Sequence, residues 1–114
     1  DRSPSRGLGD VYKRQVHTLP ASSVIAVEAQ GRKVVIHTTQ RDFESIRNMQ
    51  YWLELLPKNC FFQTHRSFII NFEHVTDFDR TLVHMADEQF HAYLTKRKYS
   101  AFKEAYLLYL DSTR

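Results

Sequence analysis

The sequence predicts a mainly β fold, a sandwich of short antiparallel sheets with one or two short helices. Two observations carry this. Apolar and β-branched residues gather in runs of about five, separated by short turn signals. Apolar residues at helical spacing occur only in the segment before Pro57 and in the one after Lys98. With 114 residues, the chain is long enough for one domain.

Taken in order, Val24 and Ala26 alternate with Ile25 and Val27, a strand pattern reaching toward Glu28. Gln30-Gly31-Arg32 reads as a turn, and Lys33 to Thr38 pairs back as a hairpin. The next piece has two readings. Phe43, Ile46, Met49, Leu53 and Leu56 are spaced for one helix from Asp42 to Leu56. A short strand from Asp42 to Arg47, then a helix capped by Asn48, fits as well. Both end at Pro57, with Lys58-Asn59 as the loop and Tyr51 and Trp52 packing a helix onto a sheet. A strand through Phe61-Phe62 follows, then another around His74 to Phe78 with a tight turn at Asp79-Arg80. Thr81 to Met85 and Phe90 to Leu94 form a hairpin across Ala86-Asp87-Glu88-Gln89. Tyr99 to Leu110 is helical, with Phe102, Ala105, Tyr106 and Tyr109 on one face.

Inside the core-like run "FFQTHRSFIINFEHV" sits the polar triplet His65-Arg66-Ser67, with no Gly or Pro to mark a turn. A buried, unpaired arginine is costly. A bend between two short extended pieces resolves this: Phe61, Phe62, Phe68, Ile69 and Ile70 anchor the base while the polar tips project. The competing reading is an Arg66 salt bridge on the surface. Lys96-Arg97-Lys98, between the last strand and the last helix, is either a second recognition tip or a solvated charge run. Arg32-Lys33 is a third cationic tip. Three such tips suit phosphate contacts combined with readout of base edges.

Global charge adds nothing to this. The net charge is +3, but residues 1–15 hold four basic and two acidic groups. The other 99 residues carry twelve Lys/Arg against eleven Asp/Glu, a net of +1. One cysteine, Cys60, excludes an internal disulfide and reads as a buried structural thiol beside Phe61 and Phe62. The six histidines show no metal-like grouping, no nucleophile elbow, P-loop or GxGxxG is present, and Gly7-Leu8-Gly9 lies in the leader. No enzyme, metal or cofactor is expected. No apolar run approaches the ~20 residues of a membrane helix, so no membrane contact is expected of this segment.

The triplet and its surroundings resemble the signature of the LytTR family of bacterial DNA-binding domains: Phe62, then His65-Arg66-Ser67, then Phe68-Ile69-Ile70 and Asn71. "SSVIAVEAQGRKVVIHT", "NMQYWLELLPKN" and "AYLTKRKYSAFKEAY" resemble the opening hairpin, the helix before the signature, and the closing strand and helix. The resemblance covers about residues 20–110. It implies an elongated sandwich whose loops enter successive major grooves of double-stranded DNA. It also favours strand Asp42 to Arg47 followed by a helix from Met49. Carried over by position, Arg66 with His65 and Ser67 would be the central base-reading loop. Arg32 and Lys33 would lie on the first contact loop, and Lys96, Arg97 and Lys98 on the last. The closing loop departs from the usual Ser-Arg, reading Thr95-Lys96, and lysine lacks the bidentate fork of arginine.

The implied function is sequence-specific DNA binding by a cytoplasmic bacterial transcription regulator. It would be the output domain of a two-component response regulator or a stand-alone protein. Tandem or repeated sites and a homodimer on DNA are further expectations. The alternative is a protein-interaction module on the same sandwich without DNA binding.

Residues 1–15, "DRSPSRGLGDVYKRQ", lack apolar periodicity and resemble the translated sequencing-adaptor runs that contaminate some open reading frames. They are read as a non-native or disordered leader, with residues 16–114 as the DNA-binding domain. A chain starting at Val16 is therefore expected to melt like the full chain and to keep its target preference. A fall of several degrees in melting temperature would show that the leader is structural.

Overall fold

The structure is a computed structural model and describes residues 20–113. The leader and its boundary at Val16 lie outside the described residues. A five-stranded antiparallel sheet has the order β3-β2-β1-β5-β4. Its strands are β1 (Val24–Gln30), β2 (Lys33–Thr38), β3 (Asp42–Ser45), β4 (Phe61–His65) and β5 (Phe68–Asn71). A three-stranded sheet follows, ordered β6 (Val75–Phe78), β7 (Leu82–Met85), β8 (Phe90–Tyr93). Helix α1 spans Met49–Leu55 and helix α2 spans Tyr99–Ser112. Mostly antiparallel strands in two sheets with few short helices match the fold read from the sequence. Among the described residues, no helix is long and apolar enough to cross a membrane.

The large sheet separates two apolar cores. Val24, Val27, Val34, Ile36, Phe61 and Ile69 pack with Trp52 and Leu56 of the α1 segment. Ile25, Ala26, Phe68 and Ile70 face Val83, Met85, Ala92 and Phe102 on the other side. Both faces of β1 are thus covered, which is why "VIAV" is an unbroken buried run. The expected alternation of Val24 and Ala26 against Ile25 and Val27 is corrected here. A β-bulge between Val24 and Ala26 shifts the phase, so Val24 shares a core with Val27 and Ile25 shares one with Ala26.

The single-helix reading of 42–56 does not hold. The Tyr51 N–H donates to Asn48 Oδ1 and starts α1 there. The preceding strand stops at Ser45, short of Arg47. The Ser45 hydroxyl accepts from Arg47 N and donates to Arg47 O, replacing the ladder by a local turn. The same oxygen accepts from Trp52 Nε1 at 2.9 Å, which satisfies the polar atom of a fully buried indole. Cys60 is half-buried where full burial was expected, because it packs only at the edge of the first core. Partial burial, helped by the Glu73 carboxylate, pushes its thiol pKa up.

Asn71 is fully buried and bonded at both ends of its amide. Nδ2 donates to Val24 O at 2.9 Å and Ala21 O at 3.4 Å, and Oδ1 accepts from Glu73 N at 2.9 Å. It joins the start of β1 to the end of β5 across 47 residues of chain. Asn71→Ala removes the side-chain partner of Val24 O and Glu73 N, while Ala21 O keeps its bond from Val24 N. It is expected to lower the unfolding free energy by about 1–3 kcal/mol in urea titration, with the denaturant slope unchanged.

Candidate nucleic-acid interface

The β1–β2 hairpin closes through Gly31 and Arg32. Gly31 has φ +65° while Arg32 does not have positive φ, the pattern of a type II′ turn. Nothing lies within 4 Å of a Cβ built at Gly31, so the glycine is required by the backbone angle and not by space. Arg32 and Lys33 are exposed at this tip.

The polar triplet forms the β4–β5 turn. His65 pairs with Phe68 in the ladder, leaving Arg66 and Ser67 as the two loop residues. Neither has a positive φ, so the turn needs no glycine or asparagine, and the sequence carries no turn signal there. A bulge between Gln63 and His65 sits just before the turn and supplies extra local twist. The Ser67 N–H donates to His65 Nδ1 at 3.0 Å, so a neutral His65 carries its proton on Nε2. The His65 ring lies 6.0 Å from those of both Phe68 and Tyr93. His65 thus braces the turn, while Arg66 is exposed. Its guanidinium makes no hydrogen bond or ion pair with any described residue, so the salt-bridge reading finds no support there.

The third tip is a 3₁₀ turn, Lys96–Lys98, leading into α2. Lys96 and Arg97 are exposed. Lys98 is different: its ammonium donates to Gln63 O at 3.2 Å and it is half-buried. It anchors this turn to β4.

Backbone bonds tie the three tips together. Thr95 N donates to Thr64 O at 2.8 Å, and Ala29 N donates to Ser67 O at 2.8 Å. Because β1 runs antiparallel to β5, the β1–β2 and β4–β5 turns emerge at the same end of the sheet. The Arg32 tip extends two residues beyond the central turn, roughly 7 Å. Arg32, Lys33, Arg66, Lys96 and Arg97 therefore share one end of the molecule, with the Arg66 turn in the middle. Unneutralised cations held on hydrogen-bonded turns suit contact with a polyanion.

Residues 14–107 match the LytTr DNA-binding domain family. The chain belongs to this family. It is 28% identical over 99 residues to the transcriptional regulatory protein NatR of Bacillus subtilis, a match covering 82% of this chain and 42% of NatR. It is 26% identical over 75 residues to the sensory transduction protein LytR of Staphylococcus epidermidis, covering 66% and 30%. The chain thus spans less than half the length of either. A LytTr DNA-binding domain from Bacillus cereus superposes with a TM-score of 0.70 at 26% identity, covering 85% of this chain and 94% of that one.

Two features of this LytTr domain escaped the sequence reading. Tyr93 is 61% exposed beside His65, although it follows the fully buried Ala92. Strand alternation around Ala92 was the available signal. The histidines also group, contrary to expectation. His84, Glu88 and His91 bring ligand atoms within 4.8 Å of one another. Cross-strand pairing of His84 with His91 makes this contact, and the hairpin loop adds Glu88.

Proposed function

We propose that this LytTr domain reads double-stranded DNA through the three linked cationic turns. Arg66 contacts a base edge, and Lys96 and the Arg32-Lys33 tip contact phosphates. The observation that supports this reading is the pair of backbone bonds, Thr95 N to Thr64 O and Ala29 N to Ser67 O, which link the turns that carry the exposed cations. His65 and Ser67 serve chiefly to set the Arg66 turn. Arg97 is available to DNA, whereas Lys98 positions its neighbours through Gln63. In this reading the domain is the output module of a bacterial regulator, either following a receiver or standing alone. It acts in the cytoplasm on tandem sites, pairs with a second copy on DNA and performs no chemistry of its own.

The test is a mobility-shift titration against sites selected from random duplex DNA, at two salt concentrations. Arg66→Ala is expected to lose about 1–3 kcal/mol of discrimination and to relax preference at one position. An unchanged ranking of sites would remove Arg66 from base readout. No binding at low salt by the unaltered chain would instead favour a protein-interaction module.

Lys96→Ala is expected to weaken binding to all sequences alike and to make the log K against log salt slope shallower by about 0.9. Lys96→Arg should sharpen sequence preference without steepening that slope, because a guanidinium can bond a base edge through two N–H groups. A changed best site in Lys96→Ala, with the slope intact, would assign base readout to Lys96.

A further inference from the structure

The second sheet carries a histidine-carboxylate cluster that has no part in the DNA reading. His84 on β7 and His91 on β8 are cross-strand partners, their rings 4.8 Å apart and nearly perpendicular. Glu88, from the loop between them, brings Oε1 to 3.1 Å from His84 Nδ1 and 3.3 Å from His91 Nε2. His84 Nδ1 is buried and makes no hydrogen bond, despite the carboxylate beside it. Buried polar atoms are ordinarily bonded, so an imidazole nitrogen left this way is suited to donating a lone pair. The loop that delivers Glu88 is also unusual. Ala86, Asp87 and Glu88 have φ of 51°, 55° and 73°, a left-handed run without a glycine. Backbone strain of this kind persists where the surroundings over-determine it, and it clusters at ligand sites.

From this geometry we infer that His84, Glu88 and His91 bind one divalent transition-metal ion of the zinc class. A tetrahedral ion about 2.0–2.1 Å from each donor requires donor–donor separations of about 3.3 Å. The two distances to the Glu88 oxygen already meet that requirement. All three ligand atoms lie within 4.8 Å, so the two nitrogens need approach by at most about 1.5 Å, within reach of a rotation of the exposed His91 ring. Two imidazoles and one carboxylate favour Zn²⁺, Ni²⁺ or Cu²⁺ over Mg²⁺ or Ca²⁺. On the far side of the His84 ring, Asp79 Oδ2 lies 3.9 Å from Nε2, too far for a hydrogen bond but near enough to add negative charge beside the cluster. With three protein ligands and an exposed rim, the fourth position belongs to water. The ion would pin the strained loop to both strands of its hairpin.

The test is titration of the full chain with Zn²⁺ by calorimetry and with Co²⁺ by visible absorption. One equivalent should bind, with the ligand-field bands of four- or five-coordinate Co²⁺ and a rise in melting temperature of roughly 5–10 °C at saturating Zn²⁺. Removing a direct ligand should weaken binding at least as much as losing an outer-shell contact does, so His91→Ala should cost about 100-fold or more. Glu88→Gln, at an exposed loop position that leaves the core intact, should weaken binding at least about 10-fold and change the Co²⁺ bands. His74→Ala, which removes a histidine outside the cluster, should bind as the unaltered chain does. Failure to saturate near one equivalent, binding in His91→Ala equal to that of the unaltered chain, or an equal loss in His74→Ala would each overturn the site.

Discussion

The bond from Thr95 N to Thr64 O couples the turns that carry the exposed cations. It depends on the bulge in β4, which takes Thr64 out of register with β5 and leaves its carbonyl to meet the chain leaving β8. Thr64 is fully buried there, so the link lies where water cannot compete for it. Lys98 adds a second tie to the same strand through Gln63 O. The two sheets are thereby joined beside the central turn by backbone as well as by side-chain packing. These bonds hold the spacing between the cationic turns.

Above this frame, charge is distributed economically. The body is close to neutral, because its basic and acidic groups nearly balance. The cations at the shared end, by contrast, make no ion pairs with the described residues. Most other charged tips are engaged locally. Arg41, Arg47 and Arg80 lie over Phe43, Tyr51 and Tyr99, with centroid distances of 4.8–5.0 Å. Asp79 accepts from Thr81 N and Leu82 N, and these bonds hold its carboxyl below the usual carboxylate range. Local clustering, and not net charge, distinguishes this cationic end.

The second sheet buries Val83, Met85 and Ala92 against the large sheet and Phe102. The alternate residues His84, His91 and Tyr93 form a second face, which lines a cleft together with Glu28 and Phe68 of the large sheet. Tyr93 reaches His65 from this face, so the histidine cluster and the central turn are neighbours along one strand.

What the sequence by itself determined was local. Strand runs, the Gly31 turn, the Asn48 cap, the Pro57 stop and the aromatic face of α2 were legible because each is decided within a few residues of chain. The triplet was legible as a projecting bend because an unpaired arginine cannot sit in a core. Tertiary structure alone decided the phase of β1, since a bulge shows only in pairing with another strand. It decided that Lys98 braces β4 while Lys96 and Arg97 stay exposed, because Gln63 lies 35 residues away in sequence. It likewise brought His84, Glu88 and His91 together, since only cross-strand register turns a spacing of seven residues into a contact. Hydrophobic pattern is read along the chain, whereas hydrogen bonds and ligand distances are set across it.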